Sequence, residues 1–278
     1  MDDRLKQFVD SHERIFVLTG AGISTGSGIP DYRDRHGAWK HQRPMEFREF
    51  VASHAARQRY WTRSWFGWQR FSRAQPNAAH LALARLERLG RLSATVTQNV
   101  DGLQQLAGSQ RVTELHGSLA TVSCLSCGET LARVAMQEAL GERNPWLPEQ
   151  QGELAPDGDA EVHGVDAARL QVPGCNACGG VLKPDVVFFG ESIPPQRVQQ
   201  CRIALGGSDA MLVVGSSLMV FSGFRFVREA CQQGIPVAAI NRGRTRADEL
   251  LQHKFDVDCA LVLTGLLRGL DPRCAILA

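Results

Sequence analysis

Apolar residues along this chain fall into two patterns, short continuous runs and longer stretches with helical spacing, and the two alternate. The first run is Ile15-Phe16-Val17-Leu18, which ends in Thr19-Gly20-Ala21-Gly22. Runs of the same kind recur at residues 94–97, 211–214, 236–240 and 257–262. A run without polar alternation predicts a strand buried on both faces, and amphipathic stretches between such runs predict helices covering a parallel sheet. The expected fold class is therefore α/β. Two stretches break the rhythm. Residues 47–71 have helical spacing and many aromatics, including Trp61, Trp65 and Trp68, and after the breaker Pro76 a new helix is expected over 77–89. Residues 123–183 hold paired cysteines and a polar, Pro/Gly-rich insert, 144–159, that predicts a long loop.

Composition narrows the class of protein. At 278 residues the chain suits one large core with a smaller appended module, and 44% apolar with 22% charged residues is ordinary for a globular protein. With a net charge of +2 and no basic run, a nucleic-acid surface is not expected. No apolar segment approaches the length of a membrane span, and the acids Asp2, Asp3, Asp10 and Glu13 are unlike an export signal. The expectation is a cytoplasmic monomer that touches no membrane. Of the eight cysteines, four form two Cys-x-x-Cys units, which argues for bound metal in a reducing compartment rather than a disulfide scaffold.

Those units, Cys124-Leu-Ser-Cys127-Gly and Cys175-Asn-Ala-Cys178-Gly, are two knuckles that together offer four thiolates to one tetrahedral zinc. Four sulfurs close the coordination sphere, so the metal is expected to organise structure without activating water. After the first run, Gly20-Ala-Gly22-Ile-Ser24-Thr25-Gly26 is either a tight structural turn or a cradle for a pyrophosphate. The following Ile29-Pro30-Asp31-Tyr32-Arg33-Asp34 is too polar for core and suggests a lid over a ligand. Thr97-Gln98-Asn99-Val100-Asp101-Gly102 follows a second run, at the carboxyl edge where α/β sheets place ligands, and Leu115-His116-Gly117 comes soon after. A histidine taken alone is more often a structural group than a base. Gly215-Ser216-Ser217 and Asn241 follow later runs, and Cys259 falls within the last one. Tyr60 and Arg63, at i and i+3 on one helical face, either clamp a carboxylate or are a packed phenol and a solvated guanidinium.

In order and spacing, GAGIS, GIPDYRD, TQNVD, LHG, the paired CxxCG knuckles, KPDVVFFGE and VGSS resemble the sirtuin family. Residues 57–68, 155–159 and 185–190 resemble its class II, sirtuin-four-like branch. The resemblance implies a Rossmann-type NAD-binding domain over 1–35, 77–120 and 185–278. It further implies a small lobe made of a helical module, 36–76, and a zinc-ribbon module, 121–184. It places Gly20, Ala21, Gly22, Ser24 and Thr25 on the diphosphate and neighbouring ribose of NAD, and Pro30, Asp31, Tyr32 and Arg33 in the closing loop. Ile23, Asn99, Val100 and Asp101 would line the nicotinamide pocket, with Gln98 near the ribose. Gly215, Ser216, Ser217, Asn241 and Cys259 would follow the adenosine half. An acyl-lysine chain would lie as an added strand against Val187, Phe188, Gly190 and Glu191 on one side and residues 217–223 on the other.

The reaction so implied is removal of an acyl group from lysine at the expense of NAD. The amide oxygen attacks the anomeric carbon as nicotinamide leaves, with Asn99 beside it. Neutral His116, with a pKa near working pH, then deprotonates the ribose diol for attack on the acyl carbon. The Tyr60/Arg63 pair is similar to the signature of members that remove acidic acyl chains, so a dicarboxyl acyl group is expected, with acetyl as the alternative. Two rival functions share this cofactor site: a protein mono-ADP-ribosyltransferase, distinguished by a protein-bound product, and a non-catalytic NAD-binding scaffold, distinguished by the absence of nicotinamide release.

Overall fold

The computed structural model describes residues 3–40, 43–147 and 153–270. Helix α1 (Asp3–Asp10) leads into strand β1 (Ile15–Thr19), whose five residues are all buried. A helical excursion follows, α2 (Phe47–Ala52) and α3 (His54–Phe71), and the chain then returns through α4 (Ala78–Arg88) and β2 (Leu92–Thr97). The short α5 (Leu103–Leu106) and β3 (Val112–Glu114) precede a second excursion. That excursion holds β4 (Gly117–Cys124), β5 (Thr130–Ala132), α6 (Arg133–Arg143), β6 (Glu153–Leu154), β7 (Ala160–Glu161) and β8 (Leu182–Val186). The chain closes with α7 (Pro195–Gly206), β9 (Ala210–Val214), α8 (Phe221–Gln232), β10 (Val237–Ile240), β11 (His253–Phe255) and α9 (Cys259–Leu270).

Six strands form one parallel sheet in the order β11-β10-β9-β1-β2-β3. Successive side chains of a strand point to opposite faces, so β1 divides its residues between two cores. Ile15 and Val17 pack with Leu83, Leu86, Leu263 and Leu266 from α4 and α9; Phe16 and Leu18 pack with Val198, Leu205, Phe226 and Val227 from α7 and α8. This is the doubly wound arrangement expected for uninterrupted apolar runs. The last run is an exception. Residues 257–262 are not a strand: Asp258 caps a helix there, accepting from the backbone N–H of Ala260 (3.0 Å) and Leu261 (3.1 Å), and the sixth strand lies earlier, at His253–Phe255. Cys259 consequently sits on the first turn of α9 instead of inside a strand.

The second excursion makes an antiparallel three-stranded sheet, β5-β4-β8. The boundaries expected at 120/121 and 184/185 both fall inside its strands, because β4 already pairs with β8 at Gly117↔Val186. A third core joins this sheet to the helical excursion through Phe50, Trp61, Phe66, Val122, Met136 and Leu182. Within it Arg133 is fully buried, its guanidinium stacked near Trp61 and Trp68 and donating to Ser64 O and Oγ, both at 3.1 Å. The insert expected as a loop contains a hairpin, β6 pairing with β7. It presses so closely on α3 that a Cβ on Gly67 would meet Gly158 O at 2.2 Å. Residues 148–152 of that insert lie outside the described residues.

Candidate active site

The carboxyl ends of β1, β2 and β9 open onto one cleft between the parallel sheet and the small lobe, the position where parallel sheets collect ligands. Glycine lets the first and ninth strand ends touch. Gly22 N–H donates to Gly215 O at 2.8 Å, and a Cβ on Gly215 (φ 62) would come within 2.3 Å of Ile23 N. A Cβ on Gly20 would meet the Ser216 side chain at 2.7 Å. The neighbouring Leu218 is the one non-glycine residue with positive φ (56°) among the described residues, a strained position on the rim of the same cleft.

Polar groups knit these strand ends together. Ser24, fully buried, accepts from Asn99 Nδ2 at 3.0 Å and donates to Asp101 Oδ2 at 2.7 Å. Asp101 Oδ1 takes the Leu103 N–H, and Asn99 Nδ2 also reaches Gly20 O at 3.2 Å. Gln98 Nε2 donates to Thr19 O (3.1 Å) and Ser216 Oγ (2.8 Å). The amide and carboxylate groups at 98–101 are thus fixed in direction before any ligand arrives, and Asn99, Asp101 and Gln98 all line the cleft.

His116 sits on the wall of that cleft with both ring nitrogens engaged. Nδ1 lies 2.8 Å from Gln98 O; a carbonyl only accepts, so Nδ1 carries the hydrogen and Nε2 keeps its lone pair. Nε2 lies 2.8 Å from Ser222 Oγ, which therefore donates to it. Burial pushes the imidazole pKa down to about 4, the Gln98 carbonyl opposes this, and the Arg197 and Arg225 guanidinium groups add to the lowering. The ring is neutral at neutral pH, and its pKa lies below the near-working value expected for a base.

Beside His116 the cleft is lined by the segment after β8. Val187 N–H donates to the backbone carbonyl of His116 itself at 2.8 Å, and Glu191 accepts from Lys183 Nζ (3.1 Å) and Phe188 N–H (2.8 Å). Glu191 thus braces the segment. Phe188 packs on Phe50 and Tyr60 at ring separations of 5.1 and 5.2 Å, which brings Tyr60 into the cleft lining. Arg63 is not in that lining. Its Nε lies 3.4 Å from Asp159 Oδ2 in the β6–β7 turn, so the expected Tyr60/Arg63 clamp is replaced by an internal ion pair. Asp157, from the same turn, does face the cleft. Burial, then Asp157 and Asp159, push the phenols of Tyr32 and Tyr60 well above their ordinary value, and burial with Asp157 likewise raises the Asp159 carboxyl.

The lid expected over 29–34 extends to residue 40. Arg33 stacks on Trp39 at 4.0 Å and donates to Gly37 O (2.7 Å), Asp34 accepts the N–H groups of His36 and Ala38, and Asp31 pairs with Lys40. Asp31, Tyr32 and Arg33 line the cleft.

Apart from the cleft, Cys124, Cys127, Cys175 and Cys178 put four sulfurs within 4.8 Å of one another, with Cys124–Cys178 at 3.5 Å and Cys127–Cys175 at 3.7 Å. A tetrahedral zinc–thiolate site needs sulfur separations of about 3.8 Å, so this donor set fits that ion. The knuckles repeat one backbone pattern, Gly128 N–H to Cys124 O and Gly179 N–H to Cys175 O, each glycine at positive φ.

Most of the motif residues converge here. Gly20, Ala21, Gly22, Ser24, Asp31, Tyr32, Arg33, Gln98, Asn99, Val100, Asp101, His116, Val187, Phe188, Gly190, Glu191, Gly215, Ser216, Ser217 and Asn241 line the cleft. Thr25 and Cys259 line an adjoining pocket beyond Gly22 and Asn241. Ile23 does not line the cleft: its side chain is buried with α4 and α9, because the turn after Gly22 directs it under the sheet. Pro30 lines neither. Trp39 and Met45 belong to the lining without having carried a sequence signal, while Ser222, Met219 and Asp157 were reached only as members of the segments 217–223 and 155–159.

Known proteins agree with this arrangement. A family model described as the Sir2 family matches residues 20–222. The chain is 53% identical over 268 residues to an NAD-dependent protein deacetylase of Xanthomonas campestris, covering 96% of this chain and 92% of the relative. It is 48% identical over 273 residues to the NAD-dependent protein lipoamidase sirtuin-4, mitochondrial, of Bos taurus, covering 97% and 85%. Among solved structures, a Sir2 with p53 peptide and NAD+ superposes with a TM-score of 0.76 at 26% identity, over 98% of this chain and 99% of that one.

Proposed function

The chain belongs to the Sir2 family, and on that premise we propose that His116 is the general base of an NAD-dependent protein lysine deacylase working as a cytoplasmic monomer. The observation that carries this reading is the neutral imidazole on the wall of a cleft, with the adjoining lining segment at Val187 fixed to His116's own carbonyl. NAD supplies a sugar whose bond to nicotinamide is readily broken; the protein's share is to hold it and move protons. Glycine at 20, 22 and 215 lets the strand ends close on one another and brings their backbone to the cleft surface, where a pyrophosphate can lie against it. Asn99 and Asp101, held by Ser24, give the carboxamide and ribose fixed partners. His116 takes a ribose hydroxyl proton at Nε2, while Gln98 O holds the Nδ1 hydrogen and supports the imidazolium that forms. Residues 186–191 and 217–223 receive the substrate backbone as a strand between them. The metal-type thiol cluster suits a reducing compartment.

At the acyl end, the charges favour neutral groups over dicarboxyl ones. Arg63 is held by Asp159, and Asp157 adds an acidic side chain to the lining, so a terminal carboxylate on the acyl chain would lack the guanidinium of the expected clamp. Acetyl and lipoyl groups, named in the two relatives above, are both uncharged.

His116→Ala tests the base. Deacylation should fall by roughly 10²–10⁴-fold with zinc content and folding intact; wild-type turnover in that variant removes His116 from the chemistry. Matched acetyl-, lipoyl- and glutaryl-lysine peptides test the acyl reading. Glutaryl turnover above both neutral chains refutes it.

A further inference from the structure

Ser222 is the second residue of α8 and lines the cleft beside His116. The direction of its hydrogen bond follows from the other side of the ring. Because Gln98 O takes the Nδ1 hydrogen, Nε2 is an acceptor, and the 2.8 Å contact is Ser222 O–H donating to the lone pair that a base must use. A sugar hydroxyl that is to lose its proton to Nε2 therefore finds that position occupied by the serine. Ser222 is also firmly placed. The next residue, Gly223, approaches the Gln98 side chain so closely that a Cβ would meet Oε1 at 2.5 Å, so one residue, Gln98, seats both the imidazole and the start of the helix carrying the hydroxyl.

We propose that Ser222 is a proton-relaying hydroxyl between the ribose diol and His116, an inference that rests on the reading of His116 as the base. As the ribose O–H bond breaks, its proton passes to Ser222 Oγ while the Ser222 O–H proton passes to His116 Nε2. The electron pair of the broken O–H bond forms the new bond from the ribose oxygen to the acyl carbon, whose double bond to the lysine nitrogen opens as that pair moves onto the nitrogen. Serine ends unchanged and the ring ends as imidazolium, whose proton is available to the departing lysine amine. A hydroxyl suits this task because it donates through its hydrogen and accepts through its oxygen at the same time, so it transmits a proton without storing charge. Nothing before the loss of nicotinamide uses the relay.

The relay separates two measurable steps. Exchange of labelled nicotinamide into NAD in the presence of acyl peptide reports the first step alone; single-turnover deacylation reports the step that needs the proton. For Ser222→Ala, deacylation should slow about 10–100-fold, a part of what a complete acid–base contribution gives, with exchange within about twofold of wild type. Ser222→Thr, which restores a hydroxyl, should recover most of the rate. Wild-type or faster deacylation in Ser222→Ala overturns the relay, since the serine would then only cap the lone pair. Equal loss of exchange and deacylation, unrescued by threonine, also overturns it by making Ser222 a packing residue. His116→Ala, run beside these, keeps the two readings apart: full turnover there sinks the base itself, whereas a dead His116→Ala with an unaffected Ser222→Ala sinks only the relay.

Discussion

The two ends of the cleft are built by different means. At the end proposed for NAD, strand termini approach until only glycine fits, and short-range hydrogen bonds fix Ser24, Gln98, Asn99 and Asp101. At the end proposed for the acyl group, a helix from one excursion meets a hairpin turn from another, and the contact is made by charges, Arg63 on Asp159, with Asp157 and Tyr60 beside them. The first kind of construction has no slack: one extra methyl displaces backbone. The second has several solutions, because a charge pair can be repacked or rewired. On the reading proposed above, the rigid end would hold the cosubstrate that never varies, and the adjustable end would meet the group that varies between substrates.

Gly215→Ala should break the contrast hardest. The new Cβ would sit 2.3 Å from Ile23 N at a residue with φ 62, so backbone must move on both strands. Stability should fall by about 3 kcal/mol and NAD affinity by at least an order of magnitude. Denaturant titration and NAD binding check both numbers. Retained affinity in a folded variant would mean the strand-end contact is not what shapes the cradle.

Asp159→Ala is the matching change at the acyl end. It strands Arg63 with little solvent, and breaking such a pair costs roughly 2–4 kcal/mol, less than a fully buried pair because the guanidinium is 24% exposed. The freed guanidinium should raise glutaryl-peptide turnover relative to acetyl severalfold, while the KM for NAD stays within about twofold. A changed KM for NAD with unaltered acyl preference would erase the distinction between the two ends.

The same contrast governs what was legible in the amino-acid sequence. Strands β1, β2, β9 and β10 announced themselves as continuous apolar runs, and the NAD-end residues stand directly after them, so locating the strand located the site. The run at 257–262 misled because a buried helix end and a buried strand have the same apolar composition over six residues. The distinguishing marks were present: Asp258 in a capping position, and Leu263 and Leu266 buried while Leu261 is 73% exposed, a helical alternation. The acyl end was not legible. That Arg63 faces Asp159 and not the ligand depends on how the insert folds back on α3, and residues 96 positions apart reveal no such pairing in a linear reading. Ser222 was hidden for a similar reason, since its importance lies entirely in which ring nitrogen of His116 the Gln98 carbonyl leaves open.

The smallest expected effect is a matter of pH, and it sharpens the comparison. A base works in its neutral form, and burial holds His116 at about 4, below the ordinary histidine value of about 6.5. As pH falls, neutral imidazole therefore persists until the pH passes through that lowered value, so kcat/KM should show no histidine limb near pH 6.5 and should decline only towards pH 4–5. Removing the Ser222 hydrogen bond, which favours the unprotonated Nε2, should move that limb upward, whereas Asp157→Asn at the acyl end should leave it in place. The fold sets a boundary on the measurement. His80, whose pKa burial also lowers to about 4 despite Asp101, stays neutral while the unfolded chain takes up a proton, so stability drops as pH falls from about 6.5 towards 4, by up to about 1.4 kcal/mol per pH unit for each such group. Initial rates over seconds, with far-UV circular dichroism recorded at each pH, separate titration of the base from loss of the fold. A wild-type limb at pH 6.5 in a fully folded protein would mean that solvent reaches the imidazole far more freely than the closed Gln98–His116–Ser222 arrangement allows.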